Sequence, residues 1–195
     1  RMTSCPQWNN RNIYTSLEDA AIEQDLGTLA SDIADLANDA KPLQFALNNL
    51  DELASAEQSQ LVLLARKLSL QKLDVQILLS TMSSYVNCLL SVNASNAQAK
   101  NLRSRLAKLS GALEQATTSL DIFLKRIDDA GIEQFFSGVD ESITALRFSI
   151  EHGRNMQVHL LNAGEESLLA GLSIDGLHAW GKLYNDIAGR LSCQL

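Results

Sequence analysis

The chain has 195 residues, 46% apolar and 20% charged, with 23 acidic against 16 basic side chains and a net charge of −7. A chain of this size buries roughly 70% of the surface it exposes when unfolded, enough for one good core or two small ones. The acidic balance argues against a nucleic-acid partner, which needs concentrated Lys and Arg, and gives no reason to expect an anionic membrane surface; no apolar run approaches the ~20 residues that span a bilayer.

Leu and Ala dominate, with 2 prolines and 10 glycines. Runs of β-branched residues are missing. This composition predicts an all-α chain of long antiparallel helices, packed as a bundle or irregular helical array. Residues 1 to 15 read as an extended lead-in, pinned to the helices by Trp8 and Tyr14.

The first helix is expected from about Leu17 to Lys41. Ser16 and Asp19 resemble a capping box, with Asp in place of the usual Glu or Gln. Ile22, Leu26, Leu29, Ile33 and Leu36 alternate four and three apart, the spacing of a bundle seam. Pro42 stops or restarts the helix, because it lacks an amide hydrogen and its ring obstructs the preceding turn.

From Leu43 to about Val92 the pattern is helical with few breaks. Phe45, Leu47, Leu50 and Leu53 begin it, followed by Leu61, Leu64 and Leu68, then Leu73, Ile77, Met82, Tyr85 and Leu89. The apolar band is broader than one seam, so this helix should touch neighbours on two sides. Ala54-Ser55-Ala56 could hold a local break, and Ser91 to Asn96 reads as a turn.

A further helix is expected from about Ala97 to Asp129, with Leu102, Leu106, Leu109, Leu113, Leu120, Phe123, Leu124 and Ile127 on its core face. Lys100, Arg103, Arg105 and Lys108 form a basic cluster, read as a solvated face. Gly131 is placed as a C-cap, and Ile132 to Gly138, with Phe135-Phe136, as an apolar turn. Val139 to about Leu161 reads as another helix, with Ile143, Leu146, Ile150 and Val158 inside.

The last stretch, Glu165 to Leu191, carries the sharpest pattern. Leu177, Trp180, Tyr184, Ile187 and Leu191 are three, four, three and four apart, hence on one helical face. Asp186 and Arg190 can pair on the other side, and Ser173 or Asp175 can cap the helix. Gly176 and Gly181 beside a tryptophan suggest a closely packed backbone. The whole chain is treated as one folded unit, with possible subdomains 1–138 and 139–195.

No catalytic, cofactor-binding or metal-binding residue is assigned. His152 and His159 share a helical face but lie about 10.5 Å apart along its axis, too far for one zinc ion with ~2.0–2.1 Å bonds; His178 stands apart. Glu165-Glu166 could be a carboxylate pair, but neighbouring helix residues point about 100° apart. A helix-start charge effect explains them more simply. Trp180 and Tyr184 are assigned to the core rather than to a peptide groove. Cys5, Cys88 and Cys193 lack pairing spacing and read as reduced thiols of a cytoplasmic protein, with Cys88 a small buried apolar residue. Met2 leads into a polar stretch with no visible signal peptide. The Asn93-Ala94-Ser95 triplet is read as a chance match to a glycosylation acceptor.

Glu165-Glu166, Leu168-Leu169-Ala170, Ser173-Ile174-Asp175-Gly176, Ala179-Trp180 and Leu183-Tyr184 together carry a resemblance. This run resembles the end of the N-terminal helical region of the oligoendopeptidase F family, zinc metallopeptidases of the thimet oligopeptidase type. A weaker likeness lies at Trp8-Asn9 and Ile13-Tyr14. The family's chemistry uses a His-Glu-x-x-His helix, whose histidines bind zinc and whose glutamate activates water, plus a further glutamate. This chain has no such motif and by resemblance should be inactive alone. The resemblance implies the front, non-catalytic part of a longer zinc endopeptidase, partnered by a missing C-terminal catalytic domain and by short peptide substrates. It implies zinc in the parent and no cofactor in this chain. The alternative reading is a stand-alone helical interaction or scaffold protein, whose seams would pair with partner helices.

Overall fold

The computed structural model describes residues 10–50, 53–138, 141–156, 172, 176 and 179–188. Its helices, in chain order, are α1 (Ala20–Asp39), α2 (Lys41–Ala46), α3 (Ser55–Val92), α4 (Ala97–Arg126), α5 (Asp129–Phe136), α6 (Glu141–Ala145), α7 (Arg147–Met156) and α8 (Ala179–Ala188). No strand occurs among the described residues, and the fold is all-α.

The three long helices α1, α3 and α4 pack on one another, with α5 against α3 and α7 against α4. The five seam residues of α1 are all buried. They meet Val62, Leu68, Val75, Met82, Tyr85 and Val86 of α3 and Leu102, Leu106, Leu113, Leu120 and Phe123 of α4 in one core cluster. α3, about 57 Å long at 1.5 Å per residue, touches α1, α4 and α5, so its broad apolar band does serve more than one neighbour. By length and composition α3 could also cross a membrane, which a search for unbroken apolar runs overlooks: an 18-residue window has a mean hydropathy of 1.4. The central helix of a bundle meets that test as readily.

Local polar chemistry sets the helix ends. α1 begins at Ala20, later than the expected Leu17, because Asp19 is the cap. Its carboxylate accepts from the Ala21 amide and from both the amide and the hydroxyl of Thr15. Those hydrogen bonds hold the Asp19 carboxyl below the usual carboxylate range, the Thr15 amide contributing most. Ser16 instead accepts from Glu18. Pro42 sits in the first turn of α2, restarting the helix where a missing amide hydrogen costs nothing. Residues 47–50 and 53–54 lie outside α-helix, a break in what the sequence reads as nearly continuous helix. α3 then starts at Ser55, with Glu57 accepting from the Ala54 amide at 3.1 Å. Asn96 caps α4 by accepting from Ala99 at 3.0 Å.

Several expectations are corrected. Gly131 does not end a helix. It lies in the first turn of α5, where its amide donates to Asp128 Oδ1 at 2.7 Å, so Asp128 is a start signal. Phe135 and Phe136 are helical and buried, with rings edge-on at 4.9 Å. The helix expected from Val139 to Leu161 is divided at Leu146 into α6 and α7 within its described part; Val158 lies outside the described residues. Phe45, Ile77 and Cys88 are exposed. Each is two residues from a buried neighbour, namely Leu43, Val75 or Leu79, and Val86 or Leu90. Two helical steps turn about 200°, which aims the side chain away from the core.

Arginines close the end of the bundle. Arg66 of α3 donates to the carbonyls of Gln134, Phe135 and Ser137, with 2.7 Å to Phe135 and 2.9 Å to Ser137. These carbonyls lie at the α5 C-terminus, where backbone acceptors lack helical partners and the helix dipole is negative.

Candidate functional site

The described part of the last stretch is α8, whose sequence is AWGKLYNDIA. Trp180, Leu183, Tyr184 and Ile187 fall at i, i+3, i+4 and i+7, which makes one apolar stripe. The spacing thus predicted both the helix and the shared face. The environment is the reverse of what was expected. Trp180 is 72% exposed, Tyr184 73%, Ile187 54% and Leu183 48%. Gly176 and Gly181 have open space where a side chain would project, so among the described residues no backbone packs closely on them. Periodicity specifies a face, not what the face meets, and here the face looks outward. Leu177, Leu191, Ser173, Asp175, Arg190, Glu165, Glu166 and the side chain of Asp186 lie outside the described residues.

A stripe of four large apolar side chains on one helix is the feature expected of a surface awaiting a partner, since scattered single exposures are ordinary but contiguous ones mark interaction sites. Trp and Tyr bring the most to such a contact, because they cover large areas with few rotatable bonds.

No nucleophile–base arrangement is assembled among the described side chains. His152 is exposed and stacks on Phe148, with ring centroids 5.8 Å apart and planes 8° apart. His159 and His178 lie outside the described residues. Between α3 and α4 runs an open groove of about 890 Å³ over Leu79, Leu106 and Leu113. Its Lys72 is paired with Asp121 at 2.7 Å. The hydroxyls of Thr117 and Thr118 donate to the carbonyls of Leu113 and Glu114. Of the basic cluster, Lys100, Arg103, Arg105 and Lys108 are all exposed, and Arg105 grips Glu23 through two hydrogen bonds of 2.6 and 2.8 Å. It is a solvated face, as read from the sequence, with Arg105 ion-paired.

The exposed stripe lies inside a recognisable segment. Residues 124–192 match the family model described as Oligopeptidase F. This part of the chain is similar to the N-terminal region of oligoendopeptidase F-like proteins. It begins in the last turn of α4 and takes in α5 to α8, including Ala179-Trp180 and Leu183-Tyr184, which carry the sequence resemblance. The weaker likeness at Trp8-Asn9 and Ile13-Tyr14 falls outside it. No curated protein and no solved structure matches the chain. Such peptidases work with zinc, yet among the described residues no group of His, Cys, Asp and Glu side chains could hold a metal ion. The described residues do not fit that role.

Proposed function

We propose that this chain is a non-catalytic helical part of an oligopeptidase of the oligoendopeptidase F type. Its α8 stripe docks on the catalytic part of the parent protein, and the bundle forms a wall of the cleft that admits substrate. The observation that carries this reading is that Trp180, Leu183, Tyr184 and Ile187 are exposed together within the oligopeptidase-like segment. The wall acts by steric exclusion. A short unfolded peptide can enter a deep enclosure between helices, whereas a folded protein cannot. The parent would hydrolyse internal peptide bonds with zinc bound by residues other than those described here.

The test is cleavage by the full-length parent of a quenched fluorescent peptide of about ten residues, and of a folded protein carrying the same sequence in a surface loop. The reading expects cleavage of the peptide, loss of cleavage with a zinc chelator, and little cleavage of the folded protein. Weakening the docking face by Trp180→Ala with Tyr184→Ala should lower peptide cleavage. A parent that cut both substrates equally, or that cut neither, would remove the proposed role. A chain acting alone as a helical scaffold would then be the better description.

A further inference from the structure

α7 is held to the bundle in an unusual way. None of its residues is buried. Among its apolar side chains only Ile150 is partly covered against the core, while Phe148 is 79% and Met156 42% exposed. Phe148, His152 and Met156 are spaced four apart, so the apolar stripe of this helix faces outward.

The inward ties are polar and come from two arginines. Arg154 Nη1 donates to the carbonyls of Leu124 at 3.0 Å, Lys125 at 3.2 Å and Ile127 at 2.7 Å. Its Nη2 reaches Asp129 at 2.9 Å. The carbonyls cluster where α4 ends, at the negative pole of its dipole. The two Nη1 hydrogens are shared among the three carbonyls while Nη2 holds Asp129, a two-nitrogen reach that a single lysine ammonium lacks. Arg147, seven residues away on the same face, pairs with Glu133 at 3.2 Å and lies 4.4 Å over the Phe136 ring.

We propose that α7 is a releasable strap clipped to the end of α4 by Arg154, and that it lifts away while α1, α3 and α4 stay folded. Burial of apolar surface is what ties an element into the cooperative core, and an element held mainly by polar contacts, with little apolar surface of its own buried, opens at lower free energy. Of the strap's own apolar side chains, only Ile150 loses cover against the core when it leaves the bundle. The freed carbonyls of Leu124, Lys125 and Ile127 then turn to water, and the Phe136 ring loses its arginine lid. Arg154 is thus a positioning residue that sets how often the strap is closed. The inference does not depend on the docking role of α8.

Hydrogen exchange on the full chain tests it. In the unaltered protein, amides of 150–156 should exchange at least about a hundredfold faster than those of 82–90 in α3, as expected of sub-global opening. Arg154→Gln should speed exchange over 150–156 by roughly tenfold, the loss of a charged hydrogen-bond set, and leave 82–90 unchanged. Arg154→Lys should restore only part of the protection. Equal exchange rates in α7 and α3 of the unaltered protein would overturn the proposal whether or not the variants fold. So would an Arg154→Gln variant that exchanged like the parent chain or faster everywhere alike. If Ile150→Ala released the strap more than Arg154→Gln, the clip would be apolar and the proposal wrong.

Discussion

The Tyr14 hydroxyl donates to Asp25 at 2.5 Å while its ring meets Tyr85 edge-on at 5.0 Å. This pair of contacts fastens the segment before α1 to both α1 and α3. Tyr14→Phe keeps the ring contact and loses the hydrogen bond, and should cost about 1 kcal/mol in chemical denaturation. Tyr14→Ala empties a buried site and should cost about 3–5 kcal/mol, as large aromatic truncations do.

Stability should fall at both ends of the pH range. Burial first, then Asp25, pushes the Tyr14 phenol well above its ordinary value, and burial pushes Tyr85 up as well. Above about pH 10 the unfolded tyrosines ionise while the native ones stay protonated. The unfolded state then binds fewer protons, so stability declines as pH rises. On the acid side, Thr15 hydrogen bonds lower Asp19, Arg105 lowers Glu23 and Lys67 lowers Asp39. Their contribution is present above about pH 4 and is lost as pH falls through the lowered native values. Because these carboxylates are exposed, the acid limb should be shallow. Urea midpoints measured from pH 3 to 11 check both signs.

Asn96 carries the start of α4 through its single cap to Ala99. Asn96→Ala should lower stability by about 1 kcal/mol, and Asn96→Asp should not. Thermal melts of the two variants separate the cap from a general effect of the turn.

The sequence was most legible where helical period and burial coincide. In α1 all five stripe residues are in the core, and in α4 most of them are. Boundaries were less legible, because Asp19 and Asp128 are start signals whose reach depends on the turn that precedes them. Gly131 illustrates this: a glycine reads as a helix end, but its amide is what Asp128 accepts from. The arginine clips were invisible, since Arg66 and Arg154 find carbonyls that lie 71 and 30 residues away at the widest contacts, with Ser137 and Leu124. For the candidate surface, Trp180 and Tyr184 were found by spacing and resemblance. Their exposure could not be, because an apolar stripe has the same sequence whether it faces a core or a partner.

That exposure has a direct energetic consequence. A core indole would make Trp180→Ala destabilising by about 3–5 kcal/mol. With Trp180 at 72% exposure, the chain on its own should change by no more than about 0.5 kcal/mol, the range of surface substitutions. Differential scanning calorimetry on the isolated chain checks this, and a large loss would return the side chain to a buried role.

The central claim is that the α8 stripe is covered by the rest of the parent protein. Hydroxyl-radical footprinting read by mass spectrometry reports on it side chain by side chain. Trp180 and Tyr184 should label strongly in the isolated chain and be protected in the full-length parent, while exposed Phe45 labels alike in both. Equal labelling of Trp180 and Tyr184 in the two proteins would contradict the account.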